Sequence, residues 1–158
     1  GSIALAAASR VNPLIRGIIS YEAPRGWEPW WPPPPGADID AADAAEHFVK
    51  RMIGQRRWGL LPAKTRSKLR EQGGLMVHEL HTQRTQQYRI EDITVPLILG
   101  VGELSGSHAH RAAVLAAEEA AQSRVVEIQG ARHDAPMSHS RQVFGLIGDV
   151  VEKVSEPN

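Results

Sequence analysis

Three residues with proton-transfer chemistry stand where apolar runs stop. His133 lies in GARHDAP, just past the run RVVEI. Glu22 closes GIISYE, and Glu103 closes LILGVGE. An imidazole titrates near neutral pH, so it can take a proton from a nucleophile and return it to a leaving group. A carboxylate at the end of an apolar run needs a partner, because burying it alone is costly. An imidazole N–H is a suitable partner, and the pairing fixes the imidazole tautomer. The plainer readings are a loop histidine without a role and a solvated or helix-capping carboxylate. Asp134 adjoins His133, but neighbours in sequence rarely orient each other's side chains usefully.

The other histidines suggest a metal at first sight. VHELH places His78 and His81 three apart, and HAH places His108 and His110 two apart. A helical zinc pair in H-E-x-x-H sits four apart with the glutamate between. HELH is one residue short of that pattern, so no metal site is expected, and none of the chemistry above needs a cofactor.

The elements that must hold these groups follow from periodicity. Residues 3–9 are Ala-rich and helix-favouring. Residues 14–21 (LIRGIISY) and 93–103 (ITVPLILGVGE) are nearly continuous apolar runs, expected as strands buried in a parallel sheet, and residues 124–128 (RVVEI) are expected as a third strand. Between the first two runs, Pro24, Pro29 and Pro32 to Pro35 crowd together with Trp27, Trp30 and Trp31. Proline removes donors and blocks regular structure, so this stretch is expected to be stiff and extended. A helix is expected from Asp40 or Asp43 as N-cap to Gly54 as stop, with Ala45, Phe48, Val49 and Met52 on its apolar face. Two more polar helices follow over residues 61–74 and 75–88, separated by Gly73 and Gly74. Residues 108–123 form an amphipathic helix. Residues 138–154 form a closing one, with Val143, Phe144, Ile147, Val150 and Val151 on one face. Alternating strands and helices give an α/β fold with helices on the faces of a parallel sheet.

The chain of 158 residues is long enough for one domain with a core. Its 18 Lys+Arg balance 18 Asp+Glu, which argues against nucleic acid or an anionic membrane as partner. The absence of cysteine excludes disulfides and thiolate chemistry and fits a cytoplasmic protein. No apolar run reaches transmembrane length, and the short apolar start has no basic stretch before it, so it is not read as a signal peptide.

Four blocks, GSIALAAAS, VNPLIRGIISYEAP, ITVPLILGVGE and VVEIQGARHDAPMSHSRQVFGLI, resemble successive pieces of the C-terminal half of an α/β-hydrolase. The resemblance covers nearly the whole chain and is weakest over residues 27–89. It implies a hydrolase core from residues 1–22 and 93–158, with a Pro/Trp-rich helical cap over residues 23–92. In that family the base follows the last strand in a loop similar to G-x-G-H. Here the loop reads GARH, with Arg132 where a second glycine is common, and His133 falls at the base. In much of the family the acid is an Asp after the strand before the penultimate helix. Ser105 stands there instead, and Glu103 is the carboxylate of that stretch. Some relatives carry the acid after the earlier strand, where this chain has Glu22. Glu22 is therefore the first candidate and Glu103 the alternative.

The same resemblance places Gly1 as the last glycine of a G-x-S-x-G elbow and the nucleophile two or three positions before it. Ser2 cannot replace it, because Ala4 stands where an elbow needs glycine. The chain alone is then expected to be inactive. The implied activity is hydrolysis of an ester-like small molecule by a nucleophile–His–acid triad, serine-type and without a cofactor. Trp27, Trp30 and Trp31 would line an apolar substrate pocket. A second expectation is a non-catalytic binding fragment that associates through exposed sheet edges, either as a homodimer or with the missing N-terminal half.

Overall fold

All three apolar runs become parallel strands. The computed structural model describes residues 1–10, 12–36, 38–86 and 88–155. β1 (Ile18–Tyr21), β2 (Leu97–Gly102) and β3 (Ser123–Ile128) form one sheet in the order β1-β2-β3. Ile18 pairs with Leu97, and Leu97 with Ser123, so the C-terminal ends of the strands lie side by side.

The chain divides into two compact units, Gly1–Pro24 with Gln86–Asn158, and Arg25–Thr85. The first holds the sheet. α1 (Ser2–Ala8) packs on β1, and α6 (Ser107–Glu119) packs on β2 and β3. α7 (Ala135–Ser138) and α8 (Ser140–Ser155) follow β3. Side chains alternate across a strand. Ile19 and Tyr21, Ile98, and Val126 and Ile128 accordingly pack in one cluster with Leu146, Val150 and Val154 of α8. Ile18, Leu97, Leu99 and Val101 are the alternate residues and are also buried. Glycine at position 17 makes room for α8, because a Cβ there would come within 2.4 Å of Val150 Cγ1.

The strands are shorter than the apolar runs that announce them. The run over residues 14–21 yields a strand of four residues, and Leu14 is 87% exposed. Ile18 N–H donates to Pro96 O, and Pro96 has no N–H to return. The ladder therefore starts at the Ile18–Leu97 pair. The same proline keeps residues 93–96 out of β2, behind a 3₁₀ turn at Ile90–Asp92. The closing helix is also corrected. α7 and α8 are separated at His139, whose φ is −130°. Only Leu146 and Val150 of α8 are buried, while Phe144, Ile147 and Val151 face outward at 69%, 46% and 57% exposure. The apolar surface of α8 is wider than the stripe a single sheet face covers.

In the second unit, α2 (Ala41–Ile53) has Asp40 as its N-cap, accepting from Ala42 and Asp43 N–H at 2.9 and 3.2 Å. It stops at Gly54, with φ 87°. α3 (Gln55–Leu60) is a short helix not expected from the sequence; it buries Trp58. α4 (Ala63–Glu71) buries nothing but is tied to α2 by Arg70, which pairs with Asp43 and Glu46 at 2.7 and 2.5 Å. α5 (Gly73–Thr82) starts at the glycine pair expected to separate two helices. A Cβ on Gly73 would lie 2.0 Å from Ala41 O, so only glycine fits between the first turns of α2 and α5. The helix expected over residues 75–88 ends at Thr82, and its Gln87 lies outside the described residues. The Pro/Trp stretch is turned rather than uniformly extended. Arg25 O accepts from Glu28 N–H, and Glu28 O accepts from Trp31 N–H.

Candidate active site

The site starts at the last bond of β1. Glu22 N–H donates to Gly100 O at 3.0 Å and ends the pairing with β2. Glu22 then takes φ 44°, and it is the one non-glycine residue with positive φ among those described. A left-handed glutamate is uncommon and costs roughly 1–3 kcal/mol, so surrounding contacts must hold it there. Those contacts fall on its carboxylate. Gly102 N–H and Ser105 Oγ donate to Oε1 at 2.9 and 2.5 Å, and Oε2 lies 2.9 Å from His133 Nδ1. The Glu22 side chain is 5% exposed, and that of His133 is 49% exposed.

The loop that carries His133 is pinned at successive residues. Gly130 turns with φ 69°, and its N–H donates to Glu103 Oε2 at 2.7 Å. Ala131 O accepts from Leu104 N–H, and Arg132 Nη1 donates to Leu104 O. Tyr21 Oη donates to Arg132 O at 2.8 Å. Ala131 and Ala135 are fully buried on either side of His133. Position 102 must be glycine, since a Cβ there would meet Ala131 O at 2.5 Å and Tyr21 Oη at 2.8 Å. Arg132 is accommodated without strain, because its backbone does not enter the left-handed region that would favour glycine.

Burial pushes the Glu22 carboxyl up, but the hydrogen bonds from His133, Ser105 and Gly102 outweigh it and hold the group below the usual glutamate value. Burial and the adjacent Glu22 charge raise the Tyr21 phenol, which therefore stays neutral and able to donate. With Glu22 ionised and able only to accept, Nδ1 of His133 is the donor in this contact. The arrangement is a carboxylate–imidazole dyad at the C-terminal edge of a parallel sheet, where ligands of open α/β sheets bind.

The fold brings together Glu22 and His133, two of the residues singled out in the sequence. Glu103 is held instead by the Gly130 amide. Trp27, Trp30 and Trp31 belong to the second unit. There Arg25 lies 5.5 Å from the Trp27 ring centroid, and Trp30 meets Trp31 edge-to-face at 6.0 Å. Sequence reasoning missed Tyr21 as a loop anchor, and it noticed Ser105 only as a departure from the expected Asp. Among the described residues no cluster of His, Asp or Glu could hold a metal ion, and no helix is long and apolar enough to cross a membrane.

A three-stranded parallel sheet with helices on its faces is the C-terminal part of an α/β-hydrolase fold. Solved structures agree. The enol-lactonase from Burkholderia xenovorans LB400 matches with a TM-score of 0.66 at 13% identity, over 94% of this chain and 61% of its own. MenH from S. aureus matches with a TM-score of 0.62 at 17% identity, over 98% and 65%. MGS-M2, an α/β hydrolase from a Medee basin deep-sea metagenome library, matches with a TM-score of 0.69 at 12% identity, over 99% and 63%. The chain thus spans about three-fifths of the length of each. Neither a family model nor a curated protein matches it.

Proposed function

We propose that Glu22 and His133 are the acid and base of a nucleophile–His–acid triad that hydrolyses an ester-like small molecule. The observation that carries this reading is the 2.9 Å contact between Glu22 Oε2 and His133 Nδ1, beside a half-exposed imidazole. The buried carboxylate orients the ring and stabilises the imidazolium that forms when Nε2 takes the nucleophile's proton. The same proton then passes to the leaving alkoxide as the acyl–oxygen bond breaks. Water, deprotonated by Nε2, then attacks the acyl carbon, and that proton passes from Nε2 to the nucleophile as the acyl–nucleophile bond breaks and the acid leaves. No cofactor enters these steps. An enol-lactonase and an E-2-(acetamidomethylene)succinate hydrolase among the fold neighbours support a hydrolytic reading.

The nucleophile is proposed to be the one that the resemblance sets before Gly1, in a G-x-S-x-G elbow. The compartment is proposed to be the cytoplasm. The test uses the chain joined to a segment that carries the elbow. His133→Ala should abolish both p-nitrophenyl ester turnover and labelling by a fluorophosphonate. Survival of either would remove His133 from the role of base.

A second reading is a non-catalytic interaction fragment. It draws on β1 and β3, each of which pairs only with β2 among the described residues. Unpaired strand edges promote association. The homodimer, or pairing with an N-terminal half, belongs to this reading.

A further inference from the structure

The two oxygens of Glu22 have separate partners. Oε2 meets His133, while Oε1 is gripped by Gly102 N–H and Ser105 Oγ. Both donors lie where β2 ends, Gly102 as its last residue and Ser105 in the turn that follows, which Ser105 N–H closes by donating to Gly102 O at 3.0 Å. A glutamate is long and flexible, and a single contact to His133 would leave it free to rotate away. Two donors converging on Oε1 remove that freedom and leave Oε2 turned to the imidazole. We propose that Ser105 is a positioning residue for the triad acid, acting through Glu22 and touching neither nucleophile nor substrate. The inference rests on the dyad reading above.

It also gives a meaning to the position where the family resemblance leads one to expect Asp. A carboxylate at 105 would stand against the Glu22 carboxylate, and two like charges in that contact cannot both remain ionised at little cost. An acid at position 22 therefore goes together with a neutral donor at 105. The titratable groups that bear on Glu22 here are His133 and Tyr21. Tyr21 is neutral, so the local charge balance lies between the carboxylate and the imidazole.

Threonine and valine at position 105 are close in shape and differ in the hydroxyl. The experiment follows the Glu22 carboxyl carbon and the His133 ring nitrogens by NMR across acid to neutral pH. It compares the 158-residue chain with Ser105→Thr and Ser105→Val, with the amide spectrum checking that each is folded. Ser105→Thr should titrate as the parent does. Ser105→Val should move the Glu22 midpoint up toward the ordinary glutamate range. It should also speed solvent exchange of the His133 Nδ1 proton by about tenfold, the size of one lost charge-assisted hydrogen bond. If Ser105→Val does not fold, Ser105→Ala, which adds no bulk, takes its place with the same expectation. A hydroxyl-free variant that keeps the parent titration and exchange would overturn the role of Ser105 while leaving the dyad intact. A parent chain without a protected Nδ1 proton would overturn the dyad itself.

Discussion

Tyr21 Oη donates to Arg132 O at 2.8 Å, so the residue before Glu22 holds the backbone just before His133. Adjacent positions at one strand end thus grip the two sides of the same loop. Tyr21 fixes the main chain, and Glu22 fixes the ring. Tyr21 reaches the loop because it lies over Gly100, its partner in the register. Tyr21→Phe should keep the ring packing and lose the bond. The expected cost is about 1 kcal/mol in urea unfolding, the net worth of a neutral hydrogen bond. His133 resonances should broaden as the loop loosens. An unchanged midpoint with sharp His133 signals would show that the bond does not restrain the loop.

Glycines separate cleanly by what surrounds them. Gly102→Ala forces Ala131 O and Tyr21 Oη to move, and it should destabilise the chain by roughly 1–3 kcal/mol. Gly145 and Gly148 on α8 have nothing within 4 Å of an added Cβ. Each, changed to Ala, should stabilise by about 0.5–1 kcal/mol through helix propensity alone. Thermal melting of the three variants orders them directly, and a neutral Gly102→Ala would contradict the close approach described.

The Glu22 carboxyl is held below its ordinary value in the folded chain. A lowered acid contributes stability above the unfolded value, and that stability is lost as pH falls through the folded value. Stability should therefore decline as pH drops below the ordinary glutamate value of about 4.3. Glu22→Gln should flatten this decline and lower stability at neutral pH. A variant with the parent's acid limb would mean that Glu22 is not ionised in the pairing seen.

Glu103 and Glu22 should part in function. Glu103→Gln removes the charge that receives the Gly130 amide and should cost about 1 kcal/mol of stability. In a protein that also carries the nucleophile, it should leave most of the ester turnover intact. Glu22→Gln should lower that turnover by orders of magnitude, because the imidazole loses its orienting charge. Loss of activity in Glu103→Gln alone would reverse the assignment.

Phe144, Ile147 and Val151 are exposed on α8, and the outer edges of β1 and β3 carry no strand among the described residues. Such surfaces favour association. The isolated chain is expected to run as a dimer in gel filtration or to melt broadly at low temperature. A strict monomer with a sharp melt would count against this expectation.

Much of this architecture is written locally. Runs of strand length that alternate with helical segments determine three strands in a parallel sheet, while their order in that sheet is set by the tertiary structure. An aspartate at 40 or 43 and Gly54 bound α2 because capping and chain reversal are properties of single residues, and the structure takes Asp40 as the cap. The sequence also sets His133 in a loop after the last strand. It leaves Glu22 and Glu103 open, since both end apolar runs and nothing local separates them. The tertiary structure decides which one lies against His133. The parallel register sets the ends of β1 and β2 side by side, a left-handed turn at Glu22 swings its carboxylate across them, and the Gly130 amide takes Glu103. Tertiary packing also trims the strands at Pro96 and chooses which stripe of α8 is buried. These outcomes depend on neighbours far away in the chain, and hydrophobic periodicity carries no information about which neighbour a residue will meet.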